Sequence, residues 1–388
     1  MSGHSPELDR NAPAVVVGTG LIGTSIALAL RAAGIPVWLA DTDPQALAAA
    51  AASGAGEAET RQPGTAERPV GGAAEDLAVS LVVVAVPPDS VAAVVGARLA
   101  RHPQAVVTDV SSVKSLPLRR LMSGPAALDR YVGGHPMAGS ERSGPEAARA
   151  DLFAGRPWAV TPHPQSRPSA IAAVHRLAHL AGAVPVTLDA DGHDAAVAAV
   201  SHLPHVAAAV VAAQLADAAG PVLALTGQGL RDVTRIAAGR PDLWAQILSA
   251  NAAPLRDGIR RLRDGLDEFL QALDATALGA PDGRARLTRL LQRGADGTAR
   301  LPGRHGSEQE QLEWLGVVVD DRPGQLARLF AAVDAVGVNI AEVRLDHRAG
   351  QAVGQVDLGL TPEAVPLLAR ALGEVGWTVH TGAGGGSD

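Results

Sequence analysis

The stretch VVVGTGLIGTSIALAL, residues 15–30, decides the fold of this chain. A run of β-branched residues passes directly into a glycine-rich turn, and an alanine-rich segment of helical composition follows it. The glycines stand as Gly18-x-Gly20-x-x-Gly23. Gly18 permits a tight turn, Gly20 lets the backbone approach a pyrophosphate, and Gly23 lets the helix pack closely on the strand. The stretch therefore predicts a strand, a phosphate-binding turn and a helix.

An acidic residue at the end of the second predicted strand supports a dinucleotide site. Asp41 follows Gly18 at about the spacing at which a carboxylate holds the hydroxyls of an adenosine ribose. A carboxylate there would repel the 2′-phosphate of NADP, so NAD is the predicted cofactor. Leu21 and Ile22 of the first helical turn complete the predicted contact with the three glycines. The alternative is that Asp43 caps the next helix and that Asp41 is merely exposed.

Composition excludes several classes of protein. The formal net charge of -7 provides no basic surplus for a nucleic-acid partner. The absence of cysteine excludes disulfides and thiolate metal sites. The amino terminus lacks the basic start and apolar run of a signal peptide. The apolar segment 195–219 is interrupted by polar residues, which favours a buried helix pair over a membrane span. We expect a cytoplasmic protein.

The order of predicted elements divides the chain into three domains. Short, continuously apolar strands alternate with helices over residues 14–165, which is typical of parallel strands in a doubly wound Rossmann α/β domain. Residues 166–292 are mostly helical, and residues 293–310 lack periodicity and predict a linker. Residues 311–382 have the order βαββαβ.

Two polar segments follow predicted strands of the first domain, TDVSSVKS at 108–115 and GGHPMAGSERSG at 133–144. The carboxyl ends of such strands face the bound nucleotide, so Ser112 and His135 are expected beside the nicotinamide. An imidazole can take the proton of an alcohol while hydride leaves the carbon. Taken alone, His135 next to Pro136 is also compatible with a structural turn histidine.

Further motifs give a resemblance. DVSSVK and GGHPMAG, preceded by the glycine fingerprint and followed by SHLPH at 201–205, LRDVTRIA at 230–237 and PDLW at 241–244, resemble motifs of the prephenate dehydrogenase family in their order. The resemblance implies an NAD-dependent oxidative decarboxylation of prephenate to 4-hydroxyphenylpyruvate in tyrosine biosynthesis. It also implies a homodimer.

The resemblance assigns roles to individual residues. His135 would take the proton of the ring hydroxyl, Ser112 would orient that hydroxyl, and Arg235, supported by Asp232, would bind a substrate carboxylate. Further substrate contacts are implied for Arg231, His202, His205 and Ser140. Lys114 fits the serine motif, with a solvated lysine as the alternative.

Charge supports this assignment independently of the motifs. Prephenate is a dianion, and Arg231 and Arg235 stand four residues apart on one predicted helical face, beside an acid that can fix the guanidinium plane. An exposed helix with an ordinary Arg–Asp pair is the alternative. His202 and His205 could suggest metal ligation, but no acid at the zincin spacing accompanies them, so no metal is predicted.

The βαββαβ segment, with DDRPGQLARLF and GVNIAEVRL, resembles an ACT domain. The family places ligand-contacting loops at Asp320, Arg322, Gly324 and Asn339. The resemblance implies feedback regulation by an aromatic amino acid. A dimer-stabilising domain that has lost its ligand is the alternative.

Three other functions remain open at this point. The substrate could be arogenate or an amino-substituted prephenate, a choice that the residues around Ser140, Glu141 and Arg142 could decide. A catalytically dead ligand sensor is disfavoured by intact Ser112, His135 and Arg235. A β-hydroxyacid dehydrogenase would rely on a lysine in its helical domain, and none of the helical motifs here centres on lysine.

Overall fold

The structure, a computed structural model, describes residues 12–59, 79–139, 144–301, 312–347 and 353–382. It contains two compact units, Met1–Leu287 and Thr288–Asp388.

The first unit begins with a parallel sheet of five strands in the order β3-β2-β1-β4-β5. Its strands are β1 Ala14–Val17, β2 Val37–Ala40, β3 Glu57–Ala58, β4 Leu81–Val84 and β5 Val106–Asp109. Between them run helices α1 Leu21–Ala32, α2 Pro44–Ala52 and α3 Pro88–Arg101, and α4 Ser115–Met122 follows β5. Alternate side chains of β1 and β4 enter two separate apolar clusters, one on each face of the sheet. The predicted doubly wound Rossmann architecture is confirmed.

A second sheet of three strands continues this domain. It contains β6 Gly133–Pro136, β7 Pro157–Thr161 and β8 Val184–Thr187, with α5 Pro168–Leu180 between the last two. Tyr131, just before β6, bridges Val107 of β5 in parallel as predicted, but the predicted parallel order fails at β7, which pairs antiparallel with β6. The described chain between β6 and β7 holds only a short 3₁₀ turn, Pro145–Ala147, which is too little for the helical crossover that parallel neighbours need.

The predicted domain boundary at residue 165 is also wrong. β8 pairs with β7 in parallel, and α5 contributes Ala170, Val174 and Leu177 to the core of the first domain. The nucleotide-binding architecture therefore continues to Thr187, because β8 completes the second sheet.

The remainder of the first unit is helical, as predicted. Its helices are α6 Ala190–Val197, α7 Leu203–Ala213, α8 Gly220–Ala224, α9 Gln228–Arg235, α10 Pro241–Ala250 and α11 Ala252–Ala277. The next helix, α12 Gly283–Ala299, begins in the first unit and ends in the second. A π-helical segment, Ala198–His202, joins α6 to α7, so the apolar segment predicted as a helix pair is one continuous helix up to Ala213. The helix Ala190–Ala213 is long and apolar enough to cross a membrane by length and composition, and 28% of its apolar window is buried.

The predicted linker is partly helical. Residues 293–299 form the last turns of α12, where the Gln292 side chain donates to Asp296 at 2.9 Å and the Thr298 hydroxyl donates to the Gly294 carbonyl at 3.2 Å. These i to i+4 contacts support the last turns of the helix despite Gly294 and Gly297. Residues 302–310 of the predicted linker lie outside the described residues.

The second unit contains the predicted βαββαβ order. Its elements are β9 Glu313–Asp320, α13 Gln325–Val336, β10 Glu342–His347, β11 Val353–Leu360, α14 Ala364–Glu374 and β12 Thr378–Gly382. The sheet has the order β10-β11-β9-β12 and is antiparallel throughout. Its apolar side chains, such as Leu315, Val317 and Leu358, pack with Leu329 and Leu368 of the two helices.

Candidate active site

The glycine-rich turn has the geometry of a phosphate-binding loop. Gly18 adopts a φ of 95°, and a Cβ there would lie 2.2 Å from the Ala85 carbonyl oxygen. A Cβ on Gly23 would lie 1.9 Å from the Gly18 carbonyl oxygen, so α1 can approach β1 only through glycine. Gly20 precedes the first turn of α1, and no atom lies within 4 Å of its would-be Cβ. That open space above free N–H groups is what a pyrophosphate requires.

The carboxylate of Asp41, predicted to bind the ribose, is held in place by hydrogen bonds. The Thr19 N–H and hydroxyl donate to Asp41 Oδ2 at 2.6 and 2.8 Å, and the Asp43 N–H donates to Asp41 Oδ1 at 2.9 Å. Partial burial raises the pKa of Asp41, but these hydrogen bonds outweigh it and hold the pKa below its ordinary value. Asp43 caps α2 as the alternative interpretation expected, yet Asp41 is half-buried rather than merely exposed.

His135 stands at the start of a buried hydrogen-bonded relay. It is the third residue of β6, and its Nδ1 lies 2.9 Å from Nε2 of His193 on α6. His193 Nδ1 in turn lies 2.8 Å from Oδ1 of Asp194. All three side chains are buried. The Rossmann domain thus supplies the first histidine, and the helical domain supplies the second together with the carboxylate.

The relay fixes which nitrogen of His135 can act as a base. An ionised carboxylate only accepts hydrogen bonds, so His193 Nδ1 must carry a hydrogen and Nε2 of the neutral ring must accept. His135 Nδ1 is then the donor, and its Nε2 is left with a lone pair. Burial lowers the pKa of His135 well below its ordinary value, and the nearby charges of His193, Lys114 and His202 act in the same direction. The imidazole is therefore neutral and able to accept a proton.

Asp194 is kept ionised by the amino terminus of α4. Its two carboxylate oxygens accept the N–H groups of Lys114 and Ser115, at 2.8 and 2.9 Å. Burial raises the pKa of Asp194, but the hydrogen bonds from His193 and from these two N–H groups outweigh burial, so the pKa lies below its ordinary value. A helix amino terminus favours an anion, so α4 stabilises the charged end of the relay.

The residues of the serine motif differ in their burial and in their hydrogen bonds. Ser112 lies half-buried in the turn between β5 and α4, and within the described part of the chain its side chain forms no hydrogen bond. Lys114, for which a solvated side chain was the alternative, is 1% exposed. Its ammonium group contacts the Asp109 carboxylate and donates to the Gly134 carbonyl at 2.7 Å.

The SHLPH motif lies beside the relay. His202 is buried, its Nδ1 lies 3.0 Å from the Asn251 amide, and that amide also donates to the Asp194 carbonyl at 2.7 Å. Burial lowers the pKa of His202 to about 4. His205 is also buried and stacks on the Trp244 ring with centroids 3.6 Å apart. The helix continues through both histidines.

The two predicted substrate arginines lie on α9. Arg231 and Arg235 are both exposed, and α9 packs against α7. The carbonyl of Ile236, directly after Arg235, raises the pKa of His205, although burial outweighs it and the pKa is lowered. The backbone directly after Arg235 therefore lies beside His205. The Asp232 carboxylate, expected to support Arg235, accepts from the Gln228 amide at 2.9 Å.

The remaining predicted residues fall outside the described residues or in the second unit. Ser140 and its neighbours Glu141 and Arg142 lie outside the described residues. In the second unit, Asp320 ends β9, Arg322 and Gly324 lie in the turn before α13, and Asn339 follows α13. All four are exposed, and Gly324 has a φ of 88°.

Sequence reasoning missed His193, Asp194 and Asn251. A His–Asp pair in an alanine-rich segment, nine residues before His202, was the available signal, because an apolar helix rarely buries such a pair without a use for it. Asn251 had no local signal, since it lies in a helix–helix turn like many exposed asparagines. Among the described residues, no group of three histidine or acidic side chains is arranged to hold a metal.

Comparisons with known proteins identify relatives of this chain. The family model "Prephenate dehydrogenase, nucleotide-binding domain" matches residues 26–187, and "Prephenate dehydrogenase, dimerization domain" matches residues 189–287. A Streptomyces niveus protein named "Probable prephenate dehydrogenase NovF" is 39% identical over 375 residues, covering 95% of this chain and 99% of its own.

Two solved structures are also similar. The prephenate dehydrogenase of A. aeolicus, in complex with hydroxyphenyl propionate and NAD+, is 25% identical with a TM-score of 0.62, over 74% of this chain and 98% of its own. The arogenate dehydrogenase of Synechocystis is 26% identical with a TM-score of 0.56, over 74% and 99%.

Proposed function

The chain belongs to the prephenate dehydrogenase family, and we propose that it catalyses the NAD-dependent oxidative decarboxylation of prephenate to 4-hydroxyphenylpyruvate in tyrosine biosynthesis. The observation that carries the proposal is the relay from His135 through His193 to Asp194. It leaves Nε2 of a buried, neutral imidazole free to receive the proton of an alcohol, which an oxidation of this kind requires.

The reaction needs one base and one returned proton. His135 Nε2 takes the proton of the ring hydroxyl as its carbon loses hydride, and Asp194 stabilises the resulting imidazolium through His193. Loss of the ring carboxylate as carbon dioxide leaves a phenolate, and His135 returns the proton to its oxygen. When bound, NAD supplies the hydride acceptor. Aromatisation of the ring provides the driving force.

The cofactor site supports NAD. Asp41, with one oxygen already committed to Thr19, presents a fixed carboxylate where the ribose hydroxyls of NAD would donate. The same charge would repel the additional phosphate of NADP. Gly18, Gly20 and Gly23 leave the space for the pyrophosphate.

Prephenate carries two carboxylates, and cationic side chains are available at the helical side of the site. We assign one carboxylate to Arg235, with Arg231 as a second guanidinium on the same helix. His202 and His205 shape the pocket between Arg235 and the relay, as their contacts with Asn251 and Trp244 indicate. Ser112, in the turn between β5 and α4, is assigned to orient the hydroxyl.

A rate assay tests the function. We expect NADH formation from prephenate with NAD, and a loss of roughly 10²–10⁴-fold in kcat for His135→Asn, the range for removing a general base. Arogenate and an amino-substituted prephenate are run in parallel, since the likeness to an arogenate dehydrogenase makes the amine an alternative substrate feature. No NADH from any of the three would contradict the proposal and favour a ligand sensor. Full turnover by His135→Asn would refute the role of that residue.

We also propose that the second unit senses an aromatic amino acid, as in an ACT domain. The βαββαβ order and the exposed turn holding Arg322 and Gly324 support this role. Tyrosine or phenylalanine should then change the rate, and deletion of residues 305–388 should abolish the change. An unchanged inhibition curve after truncation would contradict the sensing role, in favour of a domain that only stabilises a dimer.

The matched dimerization domain suggests a homodimer. One face of α11 supports it, because five apolar side chains spaced three or four residues apart are 37–59% exposed, namely Ile259, Leu262, Leu266, Leu270 and Leu273. Such a stripe is typical of a helix that packs against another helix.

A further inference from the structure

We propose that Lys114 is a positioning residue of the reaction, which fixes the strand that carries His135 and places a buried positive charge beside the imidazole. This inference rests on the proposed function, since it concerns the same base. Lys114 acts through His135, because its own side chain is 1% exposed and is committed to protein atoms.

Lys114 belongs to a buried polar array under β6. Its Nζ contacts Asp109 at the end of β5 and donates to the Gly134 carbonyl at 2.7 Å. The Asp109 carboxylate also accepts the Tyr131 hydroxyl at 2.7 Å and the Ser111 N–H at 2.9 Å. Lys114 therefore links the last residue of β5 to the peptide directly before His135. A buried ion pair with all its partners present holds its elements rigidly.

The two glycines before His135 leave the space that this polar array occupies. A Cβ on Gly133 would lie 3.1 Å from Lys114 Cδ and 2.4 Å from Thr161 Oγ1. A Cβ on Gly134 would lie 3.0 Å from the Asp109 carbonyl oxygen. Backbone and lysine stem thus run in direct contact. The two glycines and Lys114 therefore pack against one another, although they lie in separate sequence motifs.

The charges around His135 come from several elements. His193 on α6 and His202 in the π-helical segment lie on the helical side, and Asp194 lies behind His193. Lys114 lies on the Rossmann side, with Asp109 and the Tyr131 hydroxyl beyond it. Positive charge on Lys114 lowers the pKa of His135, in addition to burial and the two histidines. Repulsion from the ammonium keeps the resting base unprotonated and favours return of the proton to the phenolate.

Lys114→Met tests the proposal, because methionine fills similar volume without charge. We expect a lower kcat with little change in KM for prephenate, and an acid limb of the kcat/KM profile displaced to higher pH. The double variant Lys114→Met/Asp109→Asn removes the carboxylate that the single variant leaves unpaired, so it keeps the test available if the single variant misfolds. Arg119→Met is the control, since it removes a positive charge from a 64% exposed side chain on the same helix.

A titration of the histidines separates this inference from the proposed function. The His135 ring signal, assigned by its loss in His135→Asn, is followed by NMR against pH in the free enzyme, which needs no turnover. We expect His135 to protonate at higher pH in both lysine variants than in the wild type, and at unchanged pH in Arg119→Met. An identical His135 titration and an unmoved acid limb in the lysine variants would overturn the role of Lys114. Failure of the wild type to oxidise prephenate would instead refute the function and leave the titration to decide this inference.

Discussion

Asp194→Asn separates the charge of the relay from its shape. The change replaces one carboxylate oxygen with an amide group that can only donate, within a site whose three partners include the donors Lys114 N–H and Ser115 N–H. Oδ1 accepts the Lys114 N–H and lies against His193 Nδ1, whereas Oδ2 accepts the Ser115 N–H, so the variant disturbs the relay when its oxygen keeps the Ser115 N–H and its amide nitrogen takes the place of Oδ1. The amide then donates to His193 Nδ1, and His193 must hold its hydrogen on Nε2 instead. His135 Nδ1 becomes the acceptor, so its Nε2 carries a hydrogen and cannot take the substrate proton.

The structure sets the size of two separate effects. Forcing a catalytic histidine into the wrong tautomer by the same substitution costs about 10⁴-fold in kcat in a serine protease triad, which is about 5 kcal/mol of barrier. Loss of the charged acceptor at the start of α4 lowers the free energy of unfolding by about 2 kcal/mol. The catalytic loss therefore far exceeds what a modest fall in stability can explain. Asp191→Asn is the matched control, because Asp191 accepts the Ser115 hydroxyl at 2.5 Å but does not contact His193.

Single-turnover formation of NADH measures the effect without interference from product release. We expect Asp194→Asn to lose on the order of 10³–10⁴-fold, with bound prephenate retained, and Asp191→Asn to stay near the wild-type rate. Thermal unfolding of both variants checks that the protein remains folded at the assay temperature. If folded Asp194→Asn turns over within a factor of two or three of the wild type, the tautomer argument is wrong, and His135 does not depend on the carboxylate.

Three further predictions concern the cofactor, the substrate and acid stability. Asp41→Ser should raise KM for NAD on the order of 10-fold and improve the use of NADP, and an unaltered ratio of the two kcat/KM values would contradict the assigned ribose contact. Arg235→Ala should raise KM for prephenate by about 10–100-fold, more than Arg231→Ala does, and equal effects would remove the distinction drawn between them. The free energy of unfolding should fall as the pH drops from 6.5 to about 4, because folded His202 has a pKa of about 4 whereas the unfolded chain protonates near 6.5. His202 contributes a loss on the order of 3 kcal/mol at the acid end, and urea unfolding at several pH values that shows no such slope, or the same slope in His202→Gln, would refute it.

Local rules explain what could be predicted from the sequence. The turn at Gly18, the carboxylate at Asp41 and the βαββαβ order follow from contacts between residues close in sequence, where spacing determines geometry. His135 could be selected because its strand end must face the nucleotide. The role of Lys114 could not be predicted, because a lysine at this position fits either an exposed turn or a buried ion pair. Only the three-dimensional position of β6 next to Asp109 decides between the two.

Long-range pairing explains what could not be predicted. Asp194 caps α4 from a distance of about eighty residues along the chain, and Asn251 reaches both Asp194 and His202 from another helix turn. The reversed direction of β7 depends on how the chain returns after Pro136. The first residues of the predicted linker are helical because of side-chain hydrogen bonds. A composition that includes Gly294 and Gly297 gives no sign of these bonds.

The π-helical segment between α6 and α7 determines in which direction the side chains after it point, relative to those before it. In an uninterrupted α-helix each residue advances by about 100°, so His193 and His202, nine residues apart, would point to opposite sides. A π turn takes up about one additional residue. The phase difference between the two histidines thereby shrinks, and both reach the same buried pocket around Asn251. The helix uses this one irregular turn to bring the proton relay and the SHLPH histidines onto a common side, while its backbone remains continuous from Ala190 to Ala213.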